Sequence, residues 1–216
     1  MPHRIITIDG PAGAGKTTVS MLLAQDLGYI RVDTGALYRG VAYEILQQHI
    51  DWENDAVLKR FLSTIALQFH LEKDGLRLFS SGKDITDQIR TSRITMLASA
   101  ASAKPAVRSA LLSLQRGIAS QQDAVFEGRD MGTVVFPDAF RKFFLFADLA
   151  IRARRRYDEM QGDNRDFSRV MAEMEKRDSD DTQRAQAPLK PAPDAIHIDA
   201  SFLTPRQVVK KMRTYL

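Results

Sequence analysis

Ile5-Ile6-Thr7-Ile8-Asp9-Gly10-Pro11-Ala12-Gly13-Ala14-Gly15-Lys16-Thr17-Thr18 is the stretch on which the fold turns. Its opening apolar run has the length and β-branched content of a strand buried on both faces. Gly10 to Thr17 match G-x-x-x-x-G-K-[ST]. Beyond them Val19, Leu22, Leu23 and Leu27 recur at i, i+3, i+4 and i+8, one apolar face of a helix. Strand, glycine-rich loop and helix in this order form the context in which the motif binds polyphosphate. The glycines let backbone N–H groups wrap the phosphates, and the helix N-terminus adds a favourable dipole. Lys16 supplies a compact positive charge for the terminal phosphates, and the Thr17 hydroxyl can hold Mg2+.

Outward from this loop, further buried strands are predicted at Tyr29–Asp33, Ala124–Glu127, Lys142–Ala147 and Ala195–Asp199. Every predicted strand except the last is read as leading into a helical pattern. Thr204-Pro205 caps a final helix predicted to run to about Leu216. Alternation of this kind implies a doubly wound α/β sheet, with ligands gathered outside the carboxyl ends of its strands. Ile65 to Arg90 breaks the rhythm. Leu67-Gln68-Phe69-His70-Leu71 and Leu76-Arg77-Leu78-Phe79 alternate about a Lys73-Asp74-Gly75 turn, as an inserted antiparallel hairpin would. Gln161–Arg165 and Ala187–Pro193 read as loops.

At 216 residues, 44% of them hydrophobic, the chain can bury one core with an insertion. It has no cysteine, which removes disulfides, thiol nucleophiles and thiolate metal sites. No apolar stretch approaches the roughly 20 residues of a membrane span, and the start is too short in apolar content for a signal peptide. A cytoplasmic protein is expected. The net charge of +4 could suggest a nucleic-acid partner, but the excess is small and spread among many acids, so none is expected. Arginines gathered at a phosphate site would give the same total. His3, His49, His70 and His197 lack metal-ligand spacing.

A phosphate loop alone does not distinguish a GTPase, a motor and a kinase, but no N-K-x-D stretch supports guanine binding. Asp33-Thr34-Gly35-Ala36-Leu37-Tyr38-Arg39 closes the second strand where a substrate would face the loop. There Asp33 or Thr34 either caps the next helix or meets that substrate, and Arg39 can reach an acceptor phosphate. Glu127-Gly128-Arg129-Asp130-Met131-Gly132 closes the third strand either as a ligand-contacting loop, the preferred reading, or as a turn with a surface ion pair, and Glu127 is placed to position Mg2+ or its water. Arg152, Arg155 and Arg156 share a helical face that either closes over a transferring phosphoryl group or is simply a solvated basic surface. Arg177, Asp181 and Arg184 also point one way, as a ribose and phosphate clamp or as ordinary surface pairing. Phe167, Val170, Met171 and Met174 form an apolar stripe read as core.

These stretches together resemble the bacterial-type cytidylate kinase family along nearly the whole chain. GPAGAGKTT, DTGALYRG, GKDITDQIRT, KPAVRSALL, EGRDMGTVVFPDA and RDSDDTQRAQAPL stand in that family's order and spacing. The resemblance implies a P-loop kinase fold within one domain: a five-stranded parallel sheet flanked by helices, a substrate-binding insertion over 61–103 and a short lid over 157–168. It implies an ATP site on Gly10, Pro11, Ala12, Gly13, Ala14, Gly15, Lys16, Thr17, Thr18 and Arg155, with Thr17 toward Mg2+. Thr34, Arg39, Arg129 and Arg184 are expected near the acceptor phosphate, Ser99, Arg108 and Asp130 at the cytosine, and Arg177 and Asp181 at the ribose. Lys16, Arg129, Arg155 and Arg184 are the expected catalytic cations.

The implied reaction is in-line transfer of the ATP γ-phosphoryl group to CMP, and to dCMP, by a monomer. Such transfer relies on positioning and charge neutralisation, so no general base is assigned. Kinases for UMP, AMP or a hydroxylated metabolite are the nearest rivals. A nucleic-acid-stimulated ATPase is the rival from another class, and the chain lacks the basic stripe interleaved with aromatics that it would need.

Overall fold

The computed structural model describes residues 3–72, 75–160 and 166–216. The chain runs β1 (Ile5–Asp9), α1 (Lys16–Leu27), β2 (Ile30–Asp33), α2 (Thr34–Gln47), α3 (Asp55–Thr64), β3 (Leu67–Glu72), β4 (Gly75–Ser80), β5 (Lys83–Asp84), α4 (Ser92–Ala101), α5 (Pro105–Ala119), β6 (Ala124–Gly128), β7 (Arg141–Phe146), α6 (Leu149–Glu159), α7 (Phe167–Gln183), β8 (Ile196–Asp199) and α8 (Pro205–Arg213). β2, β6, β1, β7 and β8 form one parallel sheet in that spatial order, which puts β1 and its loop at the centre.

Every position of β1 is buried, so its sequence reads as a continuous apolar run with no alternation. Ile6 and Ile8 pack in one layer with Val19 and Leu23 of α1 and Val208 and Met212 of α8, while Leu22 and Leu27 border that layer. Ile5 faces the other layer with Val32, Phe126 and Met131. The predicted apolar face of α1 therefore lies on the sheet. α8 begins as expected, with a capping box between Thr204 and Gln207, but ends at Arg213 and not at Leu216.

The hairpin predicted between Ile65 and Arg90 forms as a separate antiparallel sheet, β3-β4-β5. Its turn residues Lys73 and Asp74, and the Gln161–Arg165 loop, lie outside the described residues. This small sheet closes on α2 at Gly40, where an added Cβ would stand 2.8 Å from Leu78 and 3.2 Å from Leu67. Leu67, Leu78, Ile85 and Ile89 thereby join the core that α2 shares with α3, α4 and α5.

One expectation is corrected. β6 does not lead into a regular helix but into a single wide turn over Met131–Val135 before β7. β6 and β7 lie parallel to β1 on its opposite sides, so the chain returns along the face of β1, where the Met131 and Gly132 amides meet Asp9 and Gly132 abuts Thr7. Glycine at 132, β-branched Thr133, Val134 and Val135, and Pro137 disfavour anything longer. Among the described residues no helix is long and apolar enough to cross a membrane.

Candidate active site

The phosphate loop holds its shape through backbone that only glycine adopts. At Gly10 φ is +149°, and an added Cβ would stand 1.9 Å from the Leu145 carbonyl oxygen. Gly15, at φ 91°, precedes α1 without a side-chain cap, so the first N–H groups of that helix remain free for an anion. Lys16 is buried and its Nζ donates to the carbonyls of Gly10 (2.8 Å) and Pro11 (2.6 Å). Burial holds its pKa well below the ordinary lysine value, and the nearby charges of Arg129 and Arg177 push the same way. The Thr17 hydroxyl donates to Glu127 Oε2 at 3.1 Å, and Arg31 Nη2 donates to Oε1 of the same carboxylate at 2.6 Å. Thr18 is exposed.

Across the cleft, Asp33 caps α2 by accepting from Ala36 N and pairs with Arg39 Nη2 at 2.8 Å. The capping alternative therefore falls to Asp33. Thr34 is buried, its hydroxyl donating to the Glu127 carbonyl at 2.7 Å. Arg129 Nε donates to Asp181 Oδ2 at 2.8 Å, and Arg184 Nη1 to Asp181 Oδ1 at 3.4 Å. Burial opposes ionisation of Asp181, yet Arg129, Arg184 and Arg177 hold its carboxyl below the ordinary value. Arg177, Asp181 and Arg184 do converge, with Asp181 buried between the arginines and not on open surface. Arg39 Nε, Arg177 Nε and Arg184 Nη2 are buried without a hydrogen-bond acceptor. Burial, then the charge of Arg129, lowers the Arg177 pKa to about 10.

Arg108 pairs with Asp130 and donates through Nη1 to the Ser102 carbonyl at 3.1 Å. The Ser102 hydroxyl donates in turn to the Ser99 carbonyl at 2.7 Å, which sets Ser99 one helical turn away. Arg184 Nη2 stands 3.8 Å from Asp130 Oδ1, so the acid-base pair borders the cation cluster.

The shared face of Arg152, Arg155 and Arg156 does not act as one surface. Arg152 turns inward, donating to the Ala147 and Ala12 carbonyls at 2.8 and 2.9 Å and pairing with Asp178 at 2.6 Å. It thus ties α6 and α7 to the phosphate loop. Arg155 donates to the carbonyls of Ala200 (2.7 Å) and Ser201 (3.3 Å), while exposed Arg156 meets Glu159 at 3.5 Å. The stripe of Phe167, Val170, Met171 and Met174 packs on Ala153 and Ala12 as core. Among the described residues no cluster of three or more His, Cys, Asp or Glu forms a metal site.

Sequence reasoning missed three neighbours of the cleft. Asp9, taken only as the end of an apolar run, accepts from Met131 N and Gly132 N. Arg31 fixes Glu127 from inside β2. Tyr38 lies beneath the Arg108 guanidinium, 5.5 Å away, and burial raises its hydroxyl pKa to about 12. A charged residue inside a predicted buried strand was the available signal for Asp9 and Arg31.

The sequence model described as cytidylate kinase matches residues 6–216. A cytidylate kinase of Geobacter sulfurreducens is 43% identical over 97% of this chain and 91% of its own length. One from Pseudomonas entomophila is 44% identical over 98% and 95%. Among solved structures, an uncharacterized protein from Eubacterium ventriosum aligns over 99% of this chain and 98% of its own, with a TM-score of 0.55 at 13% identity, a likeness of fold alone.

Proposed function

The chain belongs to the cytidylate kinase family, and on that premise we propose how its cleft divides the reaction between donor and acceptor. The enzyme transfers the γ-phosphoryl group of ATP to a phosphate oxygen of CMP, giving CDP and ADP; dCMP is a second acceptor. The observation that carries this division is the set of buried N–H donors on Arg39, Arg177 and Arg184 that lack a hydrogen-bond acceptor. A buried donor left without an acceptor costs about 1–3 kcal/mol, and an acceptor phosphate relieves it.

The backbone of Gly10 to Thr18 and Lys16 hold the triphosphate, and Arg155 is the further residue proposed to contact it. Thr34, Arg39, Arg129 and Arg184 hold the acceptor phosphate, and Arg177 and Asp181 face its ribose. Planar guanidinium forks suit this task because each can engage two phosphate oxygens. Cytosine offers an amino donor at N4 beside an acceptor at N3. Asp130 accepts from the former and Arg108 donates to the latter, with Ser99 alongside. Charge that spreads over the transferring group is met by Lys16, Arg129, Arg155 and Arg184, and no residue need take a proton in advance. The acceptor insertion spans 61–103, and a lid over 157–168, of which 161–165 lie outside the described residues, excludes water. The enzyme acts as a cytoplasmic monomer.

The Thr17 hydroxyl and the Glu127 carboxylate fit Mg2+, a hard ion commonly held by one or two protein oxygens, water and substrate phosphates. Bound there, Mg2+ neutralises phosphate charge. An ADP-release assay over CMP, dCMP, UMP, AMP and a hydroxylated metabolite tests the whole reading. CMP is expected to lead, and UMP or AMP turned over within a few fold of CMP would overturn the base assignment.

A further inference from the structure

Asp9 ends β1 one residue before the phosphate loop and is only 4% exposed. Its two oxygens are divided between successive amides: Oδ1 accepts from Met131 N at 2.9 Å and Oδ2 from Gly132 N at 2.8 Å. Those amides directly follow Arg129 and Asp130. Both ends of this tie are confined. Met131 is fully buried, and a Cβ at Gly132 would stand 3.0 Å from Thr7 Oγ1. On the other side Gly10 is pressed against the Leu145 carbonyl.

We propose that Asp9 is a positioning residue that sets the Arg129–Asp130 loop in register with the phosphate loop, so that the acceptor is presented in line with the donor. The proposal rests on Arg129 and Asp130 being acceptor contacts. Only a carboxylate accepts at both oxygens; a carboxamide would turn an N–H toward one of the two amides. In-line transfer is sensitive to such a loss, because a displacement of about 1 Å can cost on the order of 100-fold in rate. The charged form is also poised. Burial raises the Asp9 pKa to about 6 against the two amide bonds, with Asp130 adding to the rise and Lys16 opposing it.

The test compares Asp9→Asn with the parent enzyme. With far-UV dichroism unchanged, kcat/KM for CMP is expected to fall on the order of 10- to 100-fold while KM for ATP stays within about threefold. Hydrogen exchange at the Met131 and Gly132 amides, slow in the parent, should accelerate. As pH drops through about 6 the parent-to-variant ratio of kcat/KM for CMP should approach one. Substrate phosphates titrate in the same range but equally for both proteins, so they cancel in the ratio. Fast exchange of these amides in the parent, which needs no folded variant, would overturn the tie, as would unchanged exchange in Asp9→Asn. A loss confined to ATP would place the effect on Lys16 and overturn the acceptor role. Faster exchange with CMP kinetics intact would overturn the proposal through its premise, and would locate the fault in the acceptor assignment of Arg129 and Asp130.

Discussion

The glycine-rich loop proposed for the donor and the arginine cluster proposed for the acceptor are built on opposite plans. The loop is a contiguous run in which Lys16 bonds the carbonyls of Gly10 and Pro11, while Thr17 rests on a Glu127 that Arg31 already holds. The acceptor cluster gathers Arg39 from α2, Arg129 from the end of β6, and Arg177 and Arg184 from α7 and its C-terminal cap, and leaves a guanidinium N–H unpaired on three of the four. A loop of adjacent residues keeps its form through its own backbone. Like charges drawn from distant segments are held against their repulsion by the carboxylates of Asp33 and Asp181, and the donors left over are the ones proposed to take the acceptor phosphate.

This contrast can be broken from either side. Lys16→Met removes the charge at the terminal phosphates and should lower kcat by about 100- to 1,000-fold or more with the fold intact. Activity within a few fold of the parent, with unchanged dichroism, would show that the loop is not the donor site. Arg129→Lys keeps a charge but loses the fork, so KM for CMP should rise about 10-fold or more while ATP affinity stays near the parent value. ATP affinity falling with CMP affinity intact would reverse the assignment of the two halves.

Asp130→Ala sharpens the comparison within the acceptor half. Loss of the carboxylate should lower CMP turnover and narrow the CMP/UMP ratio by about 1–3 kcal/mol, roughly 5- to 150-fold. Equal losses on both pyrimidines would mean that Asp130 serves only to anchor Arg108, its partner in the structure. Thr204→Ala, in the capping box of α8 and remote from both halves, sets the baseline. It should cost about 1 kcal/mol, a fall of about 2–4 °C in Tm, and leave both KM values unchanged.

Much of the site was legible because its chemistry is written in short stretches. The glycine loop, the DTGALYRG segment and the GRDMG turn each place their functional groups within a few residues, so spacing alone marks them. The helical spacing of Arg177, Asp181 and Arg184 put them on one face, though not whether that face met solvent or ligand. The same argument failed for Arg152, Arg155 and Arg156. Periodicity fixes the direction of a side chain relative to its helix but not what the helix packs against, and here Arg152 meets Ala12 and Asp178 while Arg156 lies exposed beside Glu159.

The sequence by itself determined the five parallel strands to within a residue at most ends, the glycine-rich loop between β1 and α1, and the inserted hairpin. Those are local matters, set by backbone preference, apolar periodicity and the reach of neighbouring side chains. Tertiary structure alone decided the strand order that puts β1 between β6 and β7. It replaced the expected helix after β6 with a turn hung from Asp9, and it gave Glu127 to Arg31 and Asp130 to Arg108. Those pairings join residues 22 to 123 positions apart. They depend on which strands lie side by side, and no local pattern encodes that.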